Sequence, residues 1–213
     1  MIDFPPELEL HLARNPVIAS VFGIEAVPGF LASDCRTCIL AHLELHQLEG
    51  ALRILDQAGK FTFVNIDACS GLGQDKGALE YLKKIGTKAI VSTRTAQIQR
   101  ANQMGMVTMQ KVFVTDRSNL PRSRSAIEQS KPHLVQLMPW PVVSHLSAGE
   151  LAGLSPFIAA GFVLTAGDVA TALKEGAKGI STSAAELWDL AVRRAPNAKS
   201  LTSATNTAKE HTL

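Results

Sequence analysis

Short apolar, β-rich runs recur along this chain roughly every 23 residues, and that recurrence limits its fold more than any other feature. They cover residues 16–21, 38–43, 61–67, 89–93, 107–114, 134–139, 157–161 and 179–182. Each has the length of a strand buried on both faces. Helical patterns lie between most of them. Residues 45–58 carry the clearest, with apolar side chains three and four apart and Gly59 placed to end the helix. Residues 76–85 and 95–104 repeat the arrangement with Gly86 and Gly105, and residues 123–129 and 142–151 show it more weakly.

Strands alternating with helices through short loops pair in parallel, because each helix carries the chain back to the same end of the sheet. Eight such units predict an α/β fold, a small (β/α)8 TIM-type barrel, with an open flavodoxin-like sheet as the structural alternative. The chain has 213 residues where this fold usually has about 250, so some helices must be short or missing. The connection between residues 21 and 38 is the first suspect. Residues 1–194 read as one barrel domain. Residues 195–213 are rich in Ala, Ser, Thr and Asn with little to bury, and read as a disordered tail.

Composition excludes little beyond this. Net charge is +2, too mild to announce nucleic acid by itself. The first residues lack a basic region followed by an apolar one, and no apolar run approaches the ~20 residues of a membrane span. A cytoplasmic protein is expected, with no membrane partner. Cys35, Cys38 and Cys69 are an odd number and read as reduced packing thiols; no second pair completes the zinc-like spacing of Cys35 and Cys38.

In a parallel barrel, functional groups gather at the C-terminal strand ends. Those ends bring His42, Glu44, Asn65, Asp67, Arg94, Gln110, Lys111, Asp116 and Gln136 to the mouth. Strands seven and eight end in small-residue loops at Gly161 and at Ser181, Thr182 and Ser183, and the second loop is expected to open a helix at residues 184–188. Paired loops of this kind suit a phosphate. Asp67 and Asp116 can equally be turn acceptors, and Arg94 a surface base. Lys111 lies mid-strand. Pointing inward it would be a buried cation able to meet a phosphate, pair with Asp67 or form a Schiff base; pointing outward it is a surface lysine. Cation, backbone nest and carboxylates together suit a small phosphorylated polyol.

Residues 63–82 (FVNIDACSGLGQDKGALEYL), 91–94 (VSTR), 110–118 (QKVFVTDRS), 137–139, 159–162 and 181–188 together resemble the glycerol-3-phosphate-responsive antiterminator family. The resemblance runs from residue 16 to about residue 190. It implies a TIM-barrel-like sensor rather than an enzyme, with no cofactor and glycerol 3-phosphate as effector. The bound form would act on leader mRNA of glycerol-utilisation genes and prevent premature termination. It further implies phosphate contacts from Gly161, Thr182 and Ser183, with Asp67, Arg94, Gln110, Lys111 and Asp116 around the ligand. Several positions depart from the family. An Asp, with a His two residues on, is usual where this chain has His42 and Glu44. Its His-x-Asp is Asn65-Ile66-Asp67, its strand-five Arg is Lys111 and its strand-six Glu is Gln136. Its Leu-Pro-Gly is Met138-Pro139-Trp140, and the first Gly of its Ala-Gly-Gly is Ala160.

RNA binding rests on that resemblance. Arg117, Arg122, Arg124 and Lys131, and separately Arg193, Arg194 and Lys199, are basic groups of a kind that usually forms a solvated face. Aromatic residues are only 5%, and no stacking motif appears. Competing readings are an aldolase- or isomerase-type enzyme on a phosphorylated sugar or polyol, and an interaction module that has lost the ligand. A homodimer is compatible with the sequence.

Overall fold

The computed structural model describes residues 4–190. The expected tail at 195–213, the end of the domain at 194, and the group Arg193, Arg194 and Lys199 lie outside the described residues. In chain order the elements are α1 (Pro6–Arg14), β1 (Val17–Phe22), α2 (Val27–Ala32), β2 (Thr37–Ala41), α3 (Leu45–Gln57), β3 (Phe61–Asn65), α4 (Lys76–Lys84) and β4 (Ala89–Ser92). There follow α5 (Thr95–Gln103), β5 (Val107–Phe113), α6 (Leu120–Ser130), β6 (Leu134–Met138), α7 (Ala148–Ala152), β7 (Phe157–Ala160), α8 (Ala166–Lys174) and β8 (Ile180–Thr182). The eight strands pair in parallel in sequence order, and β8 returns to β1. The barrel is closed, so no strand edge is left open.

Two apolar layers hold it. Outward side chains such as Val64, Ile90, Leu137 and Ala159 pack against the helices. Inward side chains such as Ile39, Phe63, Val91, Met109, Leu134 and Ile158 fill the lower barrel. The helices begin where local chemistry starts them. Glu44 and Gln47 form a capping box on α3, Asp75 accepts from the Ala78 amide on α4, and Thr165 and Asp168 form a capping box on α8. As expected of a short chain, α2 has six residues and α7 five.

Three local expectations need correction. α1 has no counterpart in the strand-helix pattern: Leu8 and Leu12, one turn apart, close the barrel floor against Ile18, Ile39 and Phe61. β3 stops at Asn65 rather than 67, because the Asn65 side chain accepts the Asp67 amide at 3.3 Å and turns the chain into a 3-10 turn, Ile66–Ala68. Among the described residues no α-helix follows β8, only a 3-10 turn, Ala185–Leu187, held by the Trp188 indole donating to the Thr182 carbonyl at 3.2 Å.

The cysteines are free. Cys35 Sγ donates to the Val17 carbonyl at 3.1 Å and Cys38 Sγ to Thr62 Oγ1 at 3.6 Å. Burial pushes the Cys38 thiol up to about 12, which makes it a packing group. Among the described residues no cluster of His, Cys, Asp and Glu could hold a metal, and no helix is long and apolar enough to cross a membrane.

Candidate functional site: the cavity at the barrel mouth

Strand alternation decides which polar residues enter the barrel. On β5, Met109 faces inward, so Lys111 does too and Gln110 does not. On β6 the same logic brings Gln136 inward beside Leu134, and the register sets Lys111 opposite Gln136. On β8, Ser181 turns in and meets Ser20 of β1, their hydroxyls 2.9 Å apart. Above the apolar lower layer these four side chains, with Asn65, line a cavity of about 170 Å³ at the C-terminal strand ends. Gly161, Phe162, Leu164 and Ser183, from the loops after β7 and β8, form its upper wall.

Lys111 is the one charged side chain in that lining. It is half-buried and makes no hydrogen bond or ion pair with any described residue. Desolvation holds its ammonium below the ordinary lysine range, and the charge of Asp67 opposes the shift. A cation left in this state is ready for an anion or an acceptor brought from outside. Gln136 is 4% exposed. Its Nε2 donates to Ser181 Oγ at 3.3 Å, while its Oε1 is buried without a partner.

The loop after β7 turns sharply. Gly161 has φ +79°, and Phe162 follows at φ +60°, a conformation that a non-glycine residue rarely holds. Phe162 is 72% exposed. With Leu164 and Phe22 it makes an apolar rim over a polar chamber. The α8 N-terminus already holds a carboxylate: Asp168 Oδ2 accepts the Leu164 and Thr165 amides at 3.0 and 2.8 Å. The charge of Asp168 disfavours a second anion at the helix end and favours the loops and Lys111 instead.

The sequence-predicted residues divide accordingly. Lys111, Gln136, Gly161, Ser181, Thr182 and Ser183 line the cavity together. The Thr182 hydroxyl is spent on the loops, donating to the Val163 carbonyl at 2.7 Å and accepting the Ala184 amide at 3.1 Å. Gln110 faces the helical layer, where its Oε1 accepts from the Ser130 hydroxyl between β5 and α6. Asp67 lies outside the lining and braces the β4 end: Oδ1 accepts from Ser92 Oγ at 2.7 Å, Oδ2 from the Thr93 amide at 2.6 Å and its hydroxyl at 2.9 Å. Arg94 is exposed at the N-cap of α5, and Asp116 is a turn acceptor, taking the Ser118 amide at 2.7 Å. Neither lines the cavity. Ser20 and Phe22 were absent from the predicted set, although the alternation Ile18, Ser20, Phe22 was available to place them.

Of the predicted basic group around α6, Arg117 pairs with Glu150 at 3.5 Å and Arg124 donates to the Gly149 carbonyl at 2.9 Å, which commits both to the α7 segment. Arg122 and Lys131 are exposed.

Residues 17–188 match the family described as glycerol-3-phosphate responsive antiterminator. The chain belongs to that family. Its fold is shared by a glycerol uptake operon antiterminator-related protein from Thermotoga maritima MSB8 (26% identity, TM-score 0.74, over 83% of this chain and 99% of that one). A glycerol uptake operon antiterminator regulatory protein from Listeria monocytogenes str. 4b F2365 is similar (24% identity, TM-score 0.73, over 78% and 91%). The barrel is also like 2-keto-3-deoxy-6-phosphogluconate aldolase of Zymomonas mobilis ZM4, solved with 3-phosphoglycerate (11% identity, TM-score 0.60, over 87% and 96%). That last likeness is one of fold. No curated protein matches the chain. The family is regulatory, so membership supports a sensor of glycerol metabolism acting in transcription antitermination.

Proposed function

We propose that this protein senses glycerol 3-phosphate and, when occupied, acts as an RNA-binding antiterminator on leader mRNA of glycerol-utilisation genes in the cytoplasm. The observation that carries the ligand half is the mouth cavity: one unpaired cation, small-residue loops and uncharged hydrogen-bonding groups, the set that a small phosphate ester needs. Lys111, Gly161 and Ser183 would serve the phosphate, and Gln136 and Ser181 the organic body. Asp67 and Thr182 act at one remove, by holding the loops. The ligand is an effector, and no cofactor or catalytic group is assigned.

Family membership supports the RNA half. Exposed Arg122 and Lys131 offer phosphate contacts, so binding should weaken steeply with salt. Fluorescence anisotropy of a labelled glycerol-operon leader RNA, with and without millimolar glycerol 3-phosphate, tests this at two salt concentrations. Ligand-dependent binding that falls with salt is expected. Binding indifferent to the ligand would contradict the reading.

A second reading is favoured by one observation, the partly desolvated, unpaired amine of Lys111. Such an amine can condense with a carbonyl and release water, as in an aldolase acting on a phosphorylated sugar. Borohydride treatment in the presence of dihydroxyacetone phosphate separates the two. A stable adduct on Lys111 supports the enzyme, and an unmodified chain supports the sensor.

A further inference from the structure

Among the described residues the exposed phenylalanine, tyrosine and tryptophan side chains all stand at one end of the barrel. Phe22, Phe113 and Phe162 are exposed, at 51%, 51% and 72%. Phe4 and Tyr81 are half-buried, and the other described rings are buried. Strand alternation puts two of the three on the mouth rim. Phe22 continues the inward series Ile18, Ser20 on β1, and Phe113 the series Met109, Lys111 on β5. Phe162 follows β7. Phe22 and Phe162 line the effector cavity, while Phe113 lies outside that lining. Phe162 is held in water by a backbone at φ +60°, a conformation costly for a residue other than glycine. A strained residue that keeps an apolar ring exposed points to a partner that covers it.

The surroundings of the rings say what that partner is. Arg94, at the N-cap of α5, and Arg122, in the first turn of α6, are exposed at the same end of the barrel, on the helices either side of β5. Nearby acids are already engaged: Asp116 by the Ser118 amide, Glu150 by Arg117, and Asp67 by Ser92 and Thr93. His42, exposed at the end of β2, stands edge-on to Phe22 with ring centroids 5.4 Å apart. β1 and β5 lie on opposite sides of the closed barrel, so the rings are spaced around the opening rather than joined in one apolar patch. Spaced flat rings with cations beside them suit unpaired bases on a phosphate backbone. We propose that the aromatic rim of Phe22, Phe113 and Phe162 is the RNA-binding surface and stacks unpaired bases of a single-stranded leader segment. This rests on the antiterminator reading and gives it a surface. Because Phe22 and Phe162 are also walls of the effector cavity, an occupied cavity sets the rings that the bases meet, which links effector to RNA.

Fluorescence anisotropy of labelled leader RNA with the full chain and millimolar glycerol 3-phosphate, at two salt concentrations, tests it. Wild type, Phe113→Ala, Phe113→Tyr and Phe162→Ala are compared, with melting curves to confirm folding. Each alanine variant should bind RNA about 5- to 150-fold more weakly, the loss of one stacked base. The salt dependence should stay that of wild type, because no phosphate contact is removed. Phe113→Tyr, which keeps a ring, should bind as wild type does. Calorimetry should find glycerol 3-phosphate affinity unchanged in Phe113→Ala. RNA affinity unchanged in either alanine variant, or a loss that Phe113→Tyr shares, would overturn the rim assignment and leave the antiterminator standing. A wild-type dimer in sedimentation that Phe113→Ala dissociates, with RNA binding intact, would give the rim to a second copy of the chain and overturn it equally. Wild type that binds no leader RNA would instead overturn the antiterminator reading, and this inference with it.

Discussion

Replacing Lys111 with Met should make the protein more stable and less able to bind its effector. The structure sets both signs. The ammonium is half-buried in the mouth cavity with no ion-pair partner among the described residues, and desolvation disfavours its charge. Met has a comparable length and no charge to desolvate. The exchange should relieve about 1 kcal/mol, which for a domain of this size raises the melting temperature by about 2–4 °C. A phosphate ester loses one charge-assisted contact, about 1.5–3 kcal/mol, or ~10- to 150-fold in Kd. Differential scanning fluorimetry of the free protein and calorimetry with glycerol 3-phosphate measure the two effects separately. A merely structural lysine would give the reverse pattern, a lower melting temperature with unchanged affinity, and that result would refute the reasoning.

Other perturbations test neighbouring parts of the account. Asp67→Ala removes the acceptor for Ser92 and Thr93 and should cost on the order of 2 kcal/mol in urea unfolding, with weakened ligand binding as the β4 end loosens. Leu12→Ala opens a cavity in the barrel floor and should cost about 3 kcal/mol, with ligand affinity at the opposite end unchanged in whatever fraction remains folded. Affinity for the effector should fall as pH rises through the Lys111 pKa. That pKa lies below the ordinary lysine value, so the loss should come at a lower pH than for an exposed lysine, and it should be absent in Lys111→Met. At pH 8 a thiol reagent should leave Cys35 and Cys38 unmodified in the native protein and reach them on unfolding, as mass spectrometry of the labelled chain would show.

The barrel was legible because its signal is repetitive: eight apolar runs separated by helical patterns admit few closed arrangements. α1 was not, since Leu8 and Leu12 pack onto a floor that exists only after the strands have closed. The site was legible as a region more than as a residue list. Neighbours on a strand face opposite ways, so Gln110 and Lys111 could not both enter the barrel, and period two left open which one would. Inward Met109 decides it, and Gln110 instead ties β5 to α6. Asp67 was placed by the alternation of a strand that in fact ends two residues earlier, where Asn65 turns the backbone. The inward cluster of Ser20, Ser181 and Gln136 has no sequence signature, because it depends on β1 and β8, at opposite ends of the chain, meeting across the barrel seam.

The central claim is that the mouth cavity takes glycerol 3-phosphate. Its most direct test is a melting curve of the full chain with glycerol 3-phosphate, glycerol or inorganic phosphate at matched concentrations. At a hundred times Kd the ester should stabilise the fold by ~2.7 kcal/mol, a rise of about 5–10 °C, with glycerol inert and phosphate weaker than the ester. Identical melting in all three would contradict it.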